Sequence, residues 1–251
     1  MHKILVIFIA VTSGILYFFL GQGYVLLAGL LLATLLTRFN SKTKNLGKFV
    51  EILLLFYLIS LTIYSLGIDY PYSQIIVLTS LVMLIFYEGP QWSDLYFGFG
   101  NTKAYFKTAL WFAGISWLFF AGWIYFNYSA LPNPVPVDWP LDTLIVVGIG
   151  FSFYLAIVEE MIFRSFIFER AKSAAGALAA IPTQGLLYGL TQFAAGVPHG
   201  IPGVILSALY GTGLGFLVVK TNSIYLAMLV RFIVTLGIFL QLTILGKLSA
   251  H

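Results

Sequence analysis

The sequence predicts an all-α protein, a polytopic transmembrane helix bundle with eight or nine spans. Of its 251 residues, 60% are hydrophobic and only 9% are charged, whereas a soluble domain usually carries about 25% charged residues. The mean hydropathy is +0.98. The hydrophobic residues also fall into blocks, most of which have about the length that a helix needs to cross a bilayer.

Nine apolar blocks follow one another along the chain, and each predicts a membrane helix. They cover about residues 4–20, 23–36, 49–67, 73–88, 105–127, 142–168, 182–197, 202–219 and 224–246. The first two blocks are separated only by Gly21, Gln22 and Gly23. They therefore form either a tight helical hairpin or one broken helix, which leaves the count at eight or nine.

The basic residues predict the orientation, because lysine and arginine collect in the cytoplasmic segments of membrane proteins. Segment 37–48 is the strongest such signal, since it holds Arg38, Lys42, Lys44 and Lys48. Alternation along the chain then places Lys103, Lys172 and Lys220 on the same side. We expect a multi-pass integral membrane protein, in a bacterial plasma membrane, that contacts membrane lipids and binds no nucleic acid.

Segment 89–104 mixes aromatic, glycine and polar residues and predicts a stretch at the membrane interface. Few polar side chains occur in the blocks before it, whereas the blocks after it hold nearly all of them. We therefore predict two parts: residues 1–100, with the N-terminal transmembrane helices and the interfacial segment, and residues 101–251, a second transmembrane domain that carries the function.

Residues 159–164 read Glu-Glu-Met-Ile-Phe-Arg and place three charges inside a long apolar block. Each ionisable group at membrane depth costs about 2.5–3.5 kcal/mol, so such groups usually have a function. Glu160 and Arg164 are spaced for an ion pair along one helix. Glu159 lies about 100° further around the helix and needs a partner from elsewhere. A buried carboxylate of this kind can act as a general base on water, especially beside a metal.

With these residues the chain resembles the intramembrane CAAX-protease and bacteriocin-processing (CPBP/Abi) family, which includes the Ras-converting CAAX endoproteases. Residues 159–164 match the first motif of that family, Glu-Glu-x-x-x-Arg. Residues 187–192 read Leu-Tyr-Gly-Leu-Thr-Gln, similar to the second motif, Leu-Phe-Gly-Leu-x-His. Residues 231–235 read Arg-Phe-Ile-Val-Thr, where the third motif has His-x-x-x-Asn or Asp. The resemblance covers about residues 105–246.

The resemblance implies the roles of these residues. Glu159 would activate a water molecule, with Glu160 and Arg164 in support, and Tyr188 would be a supporting residue of the second motif. Gln192, Arg231 and Thr235 stand where the family has two histidines and an asparagine. A glutamine side chain only forms hydrogen bonds, and an arginine cannot ligate a cation. We therefore expect no cofactor, and a divalent metal such as zinc only if the family activity is retained.

The substitutions leave three function classes open. A pseudoprotease would act as a membrane scaffold, chaperone or partner-binding subunit, and an active glutamate-dependent endopeptidase would cleave prenylated or membrane-embedded peptides. A transporter or channel is disfavoured because no inverted repeat is evident. We favour the pseudoprotease, with other membrane proteins or a lipidated peptide as partner. In that case Arg231 would pair with Glu159, so that all four buried charges cancel.

Overall fold

The computed structural model describes residues 2–38, 43–68, 72–88, 92–128, 131, 138–195 and 197–249, and the secondary structure of these residues is entirely helical. This confirms the predicted all-α class. Of the described helices, five are long and apolar enough to cross a membrane: Lys44–Ser65, Thr102–Asn127, Leu141–Ala175, Gly200–Thr221 and Tyr225–Leu248. Three shorter apolar helices add to these. The protein is an integral membrane protein, and its helices agree with the predicted eight or nine spans.

The first two apolar blocks form two separate helices. Helix α1 (His2–Gly14) continues into a π-helical turn (Ile15–Phe19), and α2 (Gly23–Arg38) follows after a break at Gly21, whose φ is +63°. The next two helices are α3 (Lys44–Ser65) and α4 (Tyr72–Glu88). Residues 39–42, with the orientation signal of Lys42, lie outside the described residues.

The linker between α4 and the next helix forms hydrogen bonds with other parts of the bundle. It contains a 3-10 turn, Trp92–Leu95, and its backbone bonds to the turn that precedes the last helix. The backbone N–H of Ile224 donates to the carbonyl of Tyr96 at 3.0 Å, and that of Asn101 donates to Thr221 at 2.7 Å. The Ser165 hydroxyl donates to the carbonyl of Leu95 at 2.8 Å. This segment therefore ties three separate parts of the chain together.

The buried hydroxyl of Tyr96 in this linker makes the stability of the protein depend on pH. The Lys172 ammonium donates to this hydroxyl at 2.7 Å. Burial raises the pKa of the Tyr96 phenol, and Lys172 opposes the rise. The pKa of Tyr96 is therefore higher in the folded protein than in the unfolded chain. Its contribution to the free energy of unfolding is complete below about pH 10 and is lost as the pH rises through the folded pKa.

We therefore expect Tyr96→Phe to lose less thermal stability than the wild type between about pH 8 and about pH 11. Thermal unfolding in detergent, followed by circular dichroism, measures the difference. Tyr24→Phe is the control, because Tyr24 is exposed, and it should follow the wild type. Equal pH dependence of the two variants would contradict the prediction.

The second half of the chain contains most of the helices that build the site. Helix α5 (Thr102–Asn127) is followed by one continuous helix in three parts, α6 (Leu141–Glu160), a π-helical turn (Met161–Ile167) and α7 (Phe168–Ala175). Gly176 ends it with a φ of +83°, a conformation that a glycine adopts without strain. The π-helical turn falls on the Glu-Glu-x-x-x-Arg run.

The last three helices complete the fold, and the first two of them contact that turn. They are α8 (Ala177–Ala195), α9 (Gly200–Thr221) and α10 (Tyr225–Ser249). Helices α8 and α9 touch closely, while α10 packs against α5 and α6. Helix α1 packs on α7 and α8, and α3 packs on α7. The division of the chain near residue 100 stays a prediction.

Candidate functional site

The three charges of the first motif are buried inside the helix bundle. Glu159 and Glu160 end α6, and Arg164 lies within the π-helical turn. Glu160 and Arg164 are completely buried, and only 4% of Glu159 is exposed. Such turns occur often at functional sites, because they redirect side chains without ending the helix.

Glu160 and Arg164 form the ion pair that their spacing predicts, with 3.2 Å between Oε1 and Nη1. The two side chains attract each other by charge and form no hydrogen bond. Both carboxylate oxygens and all three guanidinium nitrogens lack a hydrogen-bond partner among the described residues. Arg164 also packs against α9 at Gly211, where an added Cβ would lie 3.2 Å from Nη2. This pair therefore lies in the packed interior of the bundle.

Glu159 takes its partners from two other helices. Arg231 of α10 donates to Oε2 of Glu159, and Gln74 of α4 donates to Oε1 at 3.3 Å. The contact between Arg231 and Glu159 is the one that charge balance predicts. Two negative and two positive side chains thus compensate each other within the bundle, as burial in a medium of low dielectric constant favours.

Tyr188 of α8 lies between the two guanidinium groups. Its ring centroid is 4.7 Å from Cζ of Arg164 and 5.0 Å from Cζ of Arg231. Its hydroxyl accepts a hydrogen bond from Nη1 of Arg231. An aromatic face attracts cations, so this ring links the two ion pairs that the charges form.

A cavity of about 470 Å³ adjoins the Glu159 carboxylate. Its polar lining includes five of the seven site residues that the sequence predicts, Glu159, Tyr188, Gln192, Arg231 and Thr235, together with Thr191. The structure therefore brings the three motif regions to one cavity. Glu160 and Arg164 are not part of its lining. Gln184 of α8 also lies outside the lining, and its amide donates to the carbonyls of Ile181 and Gly211.

The donor set around Glu159 does not fit a zinc ion. Zinc sites are built from histidine, cysteine and carboxylate ligands. No group of three or more such residues lies together in the part of the chain that the structure describes. Arg231 brings a permanent positive charge to the Glu159 carboxylate, where a cation would have to bind. His199 is exposed and occupies the N-cap position of α9, so it does not take part in the site around Glu159.

Sequence reasoning missed Gln74, which is the second partner of Glu159. The available signal was weak, because an amide in an apolar block is also found where it bonds only to neighbouring backbone. The first hundred residues therefore contribute directly to the site. The roles of the site residues in chemistry or binding are taken up below as proposals.

The fold and the buried charge cluster define a multi-pass membrane protein with a charged site inside its helix bundle. Residues 140–237 match the family model described as type II CAAX prenyl endopeptidase Rce1-like. This stretch is about two fifths of the chain and contains all three motif regions, so the match supports the resemblance to the CAAX-protease family. No curated protein and no solved structure matches the chain.

Proposed function

We propose that this protein is a non-catalytic member of the CAAX-protease family that binds a membrane partner. The single observation that carries the proposal is the ion pair between Glu159 and Arg231. A general base must accept a proton during the reaction. If Glu159 did so, the charge of Arg231 would stay buried without a counter-charge, at a cost of about 3–5 kcal/mol.

The residues at the places of the family histidines support the same conclusion. Histidine binds metals and exchanges protons near neutral pH. Gln192 does neither, and its amide donates to Thr191 at 3.3 Å. Arg231 donates to Glu159 and Tyr188. We infer that no divalent metal serves this site and that its polar groups hold helices and ligands in place.

We propose a bacterial plasma membrane protein that acts as a scaffold, chaperone or partner-binding subunit. The partners would be membrane lipids together with another membrane protein or a lipidated peptide, and no nucleic acid. The cavity beside Glu159 supports a binding role, since its volume lies in the range of about 300–1,000 Å³ that is usual for ligand sites.

A cleavage assay in liposomes tests the proposal. Purified protein is incubated with a fluorogenic prenylated peptide, and an active member of the family serves as positive control. We expect the wild type to show no turnover above that of Glu159→Ala. Asp142→Ala is the matched variant, because Asp142 is an exposed acidic residue on the same helix.

Turnover that Glu159→Ala abolishes and Asp142→Ala retains would overturn the proposal. The protein would then be the alternative, a glutamate-dependent intramembrane endopeptidase that cleaves prenylated or membrane-embedded peptides. Turnover that is equal in all three proteins would instead come from a contaminating protease.

A further inference from the structure

The cavity beside Glu159 is elongated. Along α6 its lining follows one stripe at helical spacing, Leu144, Val147, Phe151, Leu155 and Glu159. At the rise of an α-helix this stripe extends over about 22 Å.

The two ends of the cavity differ in polarity. Helix α10 runs antiparallel to α6, so Arg231 faces Glu159 at one end, and Ile238, Phe239 and Leu242 continue the lining toward Leu144. An extended peptide would bring a backbone donor and acceptor at each residue. Those groups would find no partner along the apolar part, and each would cost several kcal/mol. A hydrocarbon chain fits this wall without such a cost.

The polar end carries no net charge but has unused hydrogen-bonding capacity. The charges of Glu159 and Arg231 compensate each other. Nε of Arg231 and Oε1 of Gln74 are buried and have no hydrogen-bond partner among the described residues. One is a donor and the other an acceptor. A hydroxyl or an amide satisfies both, whereas a carboxylate or a phosphate would add an uncompensated negative charge.

Exposed lining residues mark where a ligand reaches the cavity from the membrane. Val147 is 40% exposed and Trp139 is 44% exposed, and both belong to the apolar part of the lining. A lipid that is already dissolved in the bilayer can enter there without crossing water.

From these features we propose that the cavity binds a single-chain lipid with a neutral hydroxyl or amide head, such as a monoacylglycerol. The head bonds to Arg231 and Gln74, and the hydrocarbon chain lies between α6 and α10 toward Trp139. The inference rests on the proposed function, because it requires that the Glu159–Arg231 ion pair stays intact.

Quenching of tryptophan fluorescence tests the proposal, because Trp139 lines the apolar part of the cavity. The probe is a monoacylglycerol brominated in the middle of its chain and titrated into liposomes that contain the full protein. We expect saturable quenching in the wild type that Trp139→Phe loses. Non-saturable quenching of the lipid-facing tryptophans is the background in both proteins.

Two variants at neighbouring positions separate binding in the cavity from contact with bulk lipid. Val147→Phe fills the cavity and should weaken the apparent affinity at least tenfold. Val146→Phe is the matched control, because Val146 is 69% exposed and is not part of the lining. It should bind like the wild type. Equal affinities of the two variants would overturn the proposed site.

Head-group selectivity provides a second readout. A brominated fatty acid and a brominated lysophosphatidate with the same chain should bind the wild type at least tenfold more weakly than the monoacylglycerol. Glu159→Gln leaves the charge of Arg231 unpaired, so this variant should prefer the anionic probes. A wild type that prefers anionic lipid, or a prenylated peptide that displaces the probe at lower concentration, overturns the proposal.

The two proposals fail in different ways. Saturable quenching together with Glu159-dependent peptide cleavage would overturn the non-catalytic function and retain the lipid site. No saturable quenching in a protein that cleaves nothing would overturn the lipid site alone.

Discussion

Replacement of Arg231 by alanine is expected to lower the free energy of unfolding by about 3–5 kcal/mol. The substitution removes the cation that donates to Glu159 and Tyr188, and only 4% of Glu159 is exposed. The stranded carboxylate then lies in the bundle without a counter-charge. Denaturant titration in detergent micelles, followed by circular dichroism, measures the loss.

A second substitution distinguishes the stranded charge from lost packing. In the double variant Arg231→Ala with Glu159→Gln the uncompensated charge is gone, so most of the stability should return. Lys107→Ala removes an exposed cation and should unfold like the wild type. If the double variant is no more stable than Arg231→Ala, charge compensation is not what the pair contributes.

Replacement of Gly189 by leucine is expected to disrupt the packing of α8 on α9, at a cost of about 3 kcal/mol or more. A Cβ at this position would lie 2.5 Å from the carbonyl oxygen of Val204 and 2.8 Å from the backbone nitrogen of Ala208. Both atoms belong to backbone that cannot rotate away. Because Tyr188 is the preceding residue, the variant should also displace the ring that contacts both arginines.

Gly150→Leu is the matched control, since no atom outside its own helix lies within 4 Å of a Cβ built there. Leucine has the higher helix propensity, so this variant should be as stable as the wild type or slightly more stable. Thermal unfolding and the yield of monodisperse protein compare the two. Similar losses at both positions would show that the packing of α8 on α9 is not the cause.

The helices of this fold were predictable because each span carries its own signal. A membrane helix needs a certain length of apolar residues, and that length is visible in the sequence. The packing between helices carries no such local signal. In lipid it depends on shape and on small residues such as Gly189, which meet only after the chain has folded.

The same distinction between local signals and tertiary packing applies to the site. The ion pair between Glu160 and Arg164 follows from spacing, and that between Glu159 and Arg231 follows from the balance of buried charges. Gln74 was missed, since no periodicity relates an amide in α4 to a carboxylate in α6. The cavity was equally hidden, because its walls consist of ordinary apolar residues whose distance from one another is a tertiary property.

The π-helical turn Met161–Ile167 determines how the side chains that follow the charge run are oriented, which the sequence of the run alone does not show. A helix with a wider turn fits extra residues into the same stretch of axis and so changes the phase of everything that follows. Removal of one residue there would rotate α7 by about 100° relative to α6. Lys172 would then turn away from Tyr96, and the two halves of the long helix would no longer face their neighbours together. The turn thus sets the angle at which the membrane-embedded half of the helix meets its basic end.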